Sequence, residues 1–224
     1  MPTCLILGAS RGIGRELARQ YAGDGWRVIA TYRKDADGAL LAACGAQALR
    51  VDVLEDGWVQ TLAPHLAGTA LDLAVIVAGI AGPQSEHLEP PERAAFDAVM
   101  HTNVLTALQV IPLLAEPLAA AKGKLAVLSS RMGSIANTTS ASWWLYRASK
   151  AALNSVLKSA SVELGARGVG CMALHPGWVR TDMGGPHADL AIEASAASLR
   201  RVMDATNRSH NGRFLNYNGE QLEW

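Results

Sequence analysis

The 224-residue chain has room for one large α/β domain or two small ones, and half of its residues are hydrophobic, ample for a core. Twenty Lys and Arg balance twenty Asp and Glu, which gives no electrostatic case for nucleic acid or an anionic membrane surface. Three scattered cysteines, Cys4, Cys44 and Cys171, argue against a disulfide framework or zinc cluster and suit buried thiols in a reducing cytosol.

Thr3–Leu7 reads as the first strand, and GASRGIG (Gly8–Gly14) follows it at once. Helical spacing runs on from Ile13 to Tyr21. Glycines between a strand and a helix serve a tight turn, close approach of backbone N–H groups to a pyrophosphate, and close helix–strand packing. Gly8, Ser10, Arg11, Gly12, Ile13 and Gly14 are therefore candidate dinucleotide contacts, aided by the positive end of the helix. Trp26–Tyr32 is the second strand. Where an NAD-specific site places a carboxylate, its end reads TYRKD and offers Arg33 and Lys34. Arg11 can approach the same spot, and a planar guanidinium suits a 2′-phosphate, so NADP(H) is the expected cofactor.

Ala48–Val53 and Leu71–Ala78 are the next two strands, and Pro91–Leu118 is a long helix with Pro91 in its first turn. Lys124–Ser129 ends in VLSSRMG, which puts serines at the carboxyl end of a strand, where open α/β sheets hold their ligands. The helix Trp144–Leu164 carries YRASK and is expected to end near Gly165 and Gly168. Tyr146 and Lys150 lie one turn apart on one helix face. Positive charge from Lys150 and an oxidised nicotinamide is expected to lower the phenol pKa, suiting Tyr146 to proton exchange with a carbonyl or alcohol oxygen. Val169–His175 is a strand leading into HPGWVRTDM, Asp189–Met203 a helix, and Arg213–Tyr217 a weaker last strand.

The strands are apolar throughout, as in a parallel sheet covered on both faces. The expected fold is α/β: a single doubly wound Rossmann domain over residues 1–224, with about seven parallel strands and helices on both faces. The six histidines show no metal-ligand spacing, so no metal is expected. No uninterrupted apolar run approaches the ~20 residues of a membrane span and no cleavage pattern follows the first run, so a cytoplasmic protein is expected.

The glycine-turn spacing, Asn103 in MHTNV, the Ser-Ser-x-x-Gly run, YRASK and HPGWVRTDMGG resemble the short-chain dehydrogenase/reductase superfamily over nearly the whole chain. The last of these and the C-terminal GRFLNYNGEQLEW are most similar to the short-bodied carbonyl-reductase branch that includes the C-factor proteins. The resemblance implies hydride transfer from nicotinamide to a small carbonyl compound, with Tyr146 giving the proton, or the reverse reaction on an alcohol. It implies that Ser130 holds the substrate oxygen, with Ser129 and Ser134 as rivals because the stretch from Ser130 to Tyr146 is longer than usual. It implies that Asn103 holds a relay water reaching Lys150, that Asp52 and Val53 meet the adenine, and that Ala78, Gly79, Pro176, Gly177, Val179 and Thr181 contact the cofactor. It further implies a homodimer or homotetramer built on the two long helices. IVAG (Ile76–Gly79) stands where the family carries Asn-Asn-Ala-Gly, which leaves the contacts of Ala78 and Gly79 open. Trp143, Trp144, Trp178 and Met183 are candidate walls of an open site for apolar carbonyls or, equally, core or interface residues. Two other readings remain at this point: a cofactor-binding signalling protein of C-factor type with little chemistry, and a structural oligomer without cofactor.

Overall fold

Side chains alternate across the strands, and both faces of the sheet are apolar. In the first strand Leu5 and Leu7 enter one core layer, while Cys4 and Ile6 enter the opposite one. In the computed structural model, which describes residues 1–224 apart from the side chain of Arg208, seven strands form one all-parallel sheet. They are β1 (Thr3–Leu7), β2 (Arg27–Tyr32), β3 (Gln47–Arg50), β4 (Leu73–Ile76), β5 (Lys124–Leu128), β6 (Gly170–His175) and β7 (Arg213–Asn216). Their spatial order is β3-β2-β1-β4-β5-β6-β7. Seven helices cover the two faces. Leu17 and Tyr21 of α1 (Gly12–Gly23), Leu41 of α2 (Asp35–Ala43) and Leu199 of α7 (Ile192–Ala205) fill one layer. Leu62 of α3 (Trp58–Leu66), Leu114 of α5 (Thr106–Ala121) and Leu157 of α6 (Trp144–Ala166) fill the other, and α4 (Arg93–Met100) precedes α5. The fold is the expected single-domain α/β arrangement.

The order reverses between β1 and β4. After β3 the chain returns to lie on the other side of β1, and the loops leaving these neighbouring strands diverge to opposite faces. A crevice forms at their carboxyl ends, which is where this architecture places ligands.

Three local expectations shift. Helical periodicity in the sequence did not mark α2 and α3; both are short, α2 buries only Gly38 and Leu41, and α3 contains Pro64. Pro91 lies ahead of the helix rather than in its first turn, because α4 starts at Arg93 with Glu92 at its cap. The long helix continues past its expected end at Leu118 to Ala121 and tolerates Pro112 and Pro117. Pro112 is exposed, so the carbonyl its ring leaves unpaired can meet water.

By length and composition the continuous helical run Arg93–Ala121 is apolar enough to cross a membrane. The residues behind that, Ala107, Val110, Ile111, Leu114 and Leu118, are committed to the core. Cys4 and Cys171 are buried and Cys44 half-buried. Burial pushes both buried thiols up to about 12, which leaves them protonated and inert.

Candidate functional site

The glycine turn joins β1 to α1 under tight steric limits. Gly8 has φ 94°, and a Cβ there would stand 2.6 Å from the Ala78 nitrogen. At Gly14 a Cβ would stand 2.2 Å from the Gly8 carbonyl oxygen, so helix and strand approach as closely as only glycine permits. Thr31 at the end of β2 fixes the turn: its hydroxyl accepts from Gly8 N at 2.8 Å and its carbonyl from Ala9 N at 2.8 Å. No side chain caps the N-terminus of α1, and no acid lies in its first turn. The free N–H groups and helix dipole there suit an anion.

A cleft of about 440 Å³ opens over this turn. One end is basic, lined by Arg11, Arg15 and Arg33, with Ser10 accepting from Arg33 N at 3.3 Å. No carboxylate stands at the end of β2; the nearby Asp35 faces Arg50 at 3.9 Å. Val51, Val53 and Leu54 form an apolar wall beside it. Asp52 is not in that wall and accepts from Leu54 N at 3.1 Å, closing its own small turn. The donor set thus fits an adenosine bearing a 2′-phosphate and a pyrophosphate over the helix end.

Away from the arginines stand Tyr146 and Lys150, while Pro176, Met183, Ala78 and Gly79 also line the cleft and Thr181 lies close to Gly12 of the glycine turn. Where the family carries the two asparagines, Ile76 packs into the core and Val77 lines the cleft beside Ala78. Asn103 lies on a π-helical turn, His101–Leu105, joining α4 to α5. Such bulges redirect side chains at functional sites. Its amide grips Ile80 from both sides, accepting from Ile80 N and donating to Ile80 O, each at 2.8 Å. It also donates to Ser149 on α6 at 2.9 Å. Asn103 thus ties the cleft floor to the helix that carries Tyr146 and Lys150.

The Lys150 ammonium donates to the Leu128 carbonyl at 2.8 Å and lies 5.7 Å from the centre of the Tyr146 ring. The expected acidic phenol is not found in the protein alone. Burial pushes Tyr146 up to about 12, partly offset by a hydrogen bond with Ser130. Burial also lowers Lys150 to about 8. Desolvation dominates at both groups, because each charged form would lose water inside the protein.

The three candidate serines separate by their partners. Ser129 donates to Asn154 Oδ1 at 2.6 Å, and Asn154 donates in turn to Gly133 O at 3.2 Å. Ser134 is buried among Asn137 and the Trp224 carbonyl. Ser130 alone stands beside the phenol, its oxygen accepting from Met132 N at 3.2 Å. Asn154, one turn beyond Lys150, thereby fastens the serine loop to α6. Asn154→Ala is expected to destabilise the protein by about 2 kcal/mol, because a buried hydroxyl and a carbonyl lose their partner. Urea unfolding checks this, and a loss below about 0.5 kcal/mol means that water replaces the amide.

After β6, Gly177 (φ 84°) leaves no room for a Cβ, which would meet Leu190 Cδ1 at 2.4 Å. Gly177 and Val179 form the structure behind the cleft wall, while Pro176 and Thr181 face the cleft. Of the aromatic candidates, Trp178 is exposed with its indole donating to Gly184 O at 2.8 Å, and Trp144 lines a separate surface groove. Neither these two nor Trp143 lines the cleft, whereas Met183 does. Arg15, Arg180, Asp182 and Ile192 line the cleft without having been singled out from the sequence. Arg15 was findable, one helical turn beyond Arg11; Ile192 comes from a distant helix and carried no local signal.

The family described as enoyl-(acyl carrier protein) reductase matches residues 8–210. The chain is 34% identical over 234 residues to 1-hydroxy-2-glutathionyl-2-methyl-3-butene dehydrogenase of Rhodococcus sp. (strain AD45), covering all of both chains. It is 46% identical over 101 residues to C-signal of Myxococcus xanthus, an alignment spanning 45% of this chain and 61% of that protein. Among solved structures, a carbonyl reductase from Pseudomonas aeruginosa PAO1 in complex with NADP superimposes with a TM-score of 0.88 at 33% identity, covering 100% of each chain.

Proposed function

Because the chain belongs to the short-chain dehydrogenase/reductase family of oxidoreductases, we propose that it is an NADP(H)-dependent reductase of small carbonyl compounds. One observation carries the reading. A single cleft joins a basic pocket, with no carboxylate at the end of β2, to a half-buried Tyr146 and a buried Lys150, and Ser130 stands beside the phenol. Arg11 and Arg33 would hold the 2′-phosphate, and the uncapped start of α1 the pyrophosphate. Bound there, the reduced cofactor would supply the hydride that adds to the carbonyl carbon.

The chain's own groups do the rest. Ser130 donates a hydrogen bond to the substrate oxygen, and Tyr146 delivers the proton that completes the alcohol. A phenol held up to about 12 is protonated at neutral pH, so the resting state is already the donor that reduction needs. Lys150 lies within reach to return a proton to Tyr146, and Asn103 holds Ile80 and α6 in register for this exchange. Met183 makes the substrate end partly apolar. Leu105, Leu108 and Val162 are exposed on α5, α6 and the turn before α5, which supports pairing of two copies through these helices.

Titration of the purified protein is expected to give at least tenfold tighter binding of NADPH than of NADH. NADPH consumption across aldehydes, ketones and quinones then identifies the substrate class. Equal affinities would remove the 2′-phosphate reading. The similarity to C-signal favours a second reading, a signalling protein that binds the cofactor. Tight NADPH binding with no consumption against any carbonyl would select it.

A further inference from the structure

The lining of the cleft is cationic, with one exception. Arg11, Arg15, Arg33, Lys150 and Arg180 face it, and among the described residues Asp182 is the only acid that does. Asp182 pairs with Arg11 across 171 positions of sequence, joining the two lips of the cleft. Contact continues beneath the pair, since a Cβ at Gly12 would come within 3.3 Å of Thr181 Cγ2. The acid is presented by a compact turn. Gly185 N donates to Thr181 O at 2.8 Å and Gly184 N to Thr181 Oγ1 at 3.1 Å, while the Trp178 indole closes the turn on Gly184 O. Both partners are largely exposed, 63% for Arg11 and 73% for Asp182, so the pair is exchangeable rather than a permanent brace.

We infer that Asp182 is a specificity-determining residue that competes with the ligand's 2′-phosphate for Arg11. The inference rests on the NADP(H) reading above. With the cleft empty, the carboxylate occupies the guanidinium and partly neutralises the basic end. A 2′-phosphate carries more charge and offers a bidentate partner, so it displaces Asp182 and releases the turn from the opposite lip. A ligand without that phosphate leaves the pair intact. Asp182 therefore limits affinity for the phosphorylated ligand alone.

Calorimetry with adenosine 2′,5′-bisphosphate and with adenosine 5′-monophosphate tests this without any turnover. Asp182→Asn is expected to tighten binding of the bisphosphate about two- to fivefold, the range an exposed ion pair supports, and to leave the monophosphate unchanged. On an Arg11→Gln background the same substitution is expected to change neither, and added salt is expected to shrink the gain. No gain for the bisphosphate overturns the inference. So does an equal gain for both nucleotides that persists without Arg11, since that reports only the removal of a negative charge. Failure of the NADP(H) reading shows separately, as equal wild-type affinities for the two nucleotides, and takes this inference with it.

Discussion

Tyr146→Phe is expected to lower carbonyl reduction about 10³-fold while NADPH affinity stays within about twofold of wild type. The substitution removes one oxygen and keeps the ring, so the packing around α6 is retained. What it removes is the only group in the cleft that Ser130 touches and that can release a proton toward the substrate. Ser130 cannot substitute, because a hydroxyl without an acidic neighbour is too weak an acid. Fluorescence titration and single-turnover rates measured together check the claim. A variant that keeps a tenth of the rate takes Tyr146 out of the chemistry, whereas a variant that loses both rate and binding points to a collapsed site.

Lys150→Met is expected to move activity and stability in opposite directions. Lys150 is buried, and desolvation lowers its pKa from the ordinary 10.5 to about 8. Below pH 8 the lysine is charged in both states, and the folded state holds its proton less tightly by about 3 kcal/mol. Between pH 8 and 10.5 the unfolded chain still binds a proton that the folded chain has released. Stability from this group therefore rises with pH through that window, and the penalty has gone by its upper end. Methionine fills a similar volume without charge but leaves Leu128 O unpaired. The net gain at pH 7 is then about 1–2 kcal/mol, or roughly 3–6 °C in Tm for a domain of this size. Turnover is expected to fall about 10²-fold. Thermal melts at pH 7 and near pH 10 decide the matter: a Tm advantage at pH 7 that fades toward pH 10 supports the account. A variant that is less stable at pH 7, or whose advantage ignores pH, shows that the ammonium is not the strained group.

Much of this site was legible in the linear chain, and the reason is local. A strand that is buried on both faces needs an unbroken apolar run, as Leu73–Ile76 and residues 125–128 of β5 show. Only glycine fits where a Cβ would lie 2.2 Å from a carbonyl, as at Gly14. A phenol and an amine one helical turn apart share a face whatever surrounds them. Helix α2 buries only Gly38 and Leu41 and so has little period, while α3, whose Trp58, Leu62 and Leu66 do recur at helical spacing, is nine residues long and contains Pro64.

The amino-acid sequence alone determined the order of the strands and of the longer helices, the glycine turn, the absence of an acid at the end of β2, and the Tyr146–Lys150 pair. Each is settled by residues within a few positions of one another, through backbone sterics or helical repeat. Only the tertiary structure decided that Ser130 rather than Ser129 or Ser134 faces the phenol, because Asn154 and the Trp224 carbonyl engage the other two. It alone decided how far burial raises the Tyr146 pKa in the protein without cofactor, and it brought Asp182 onto Arg11. Burial and long-range charge pairing arise from the packing of distant segments, and neither has a local imprint.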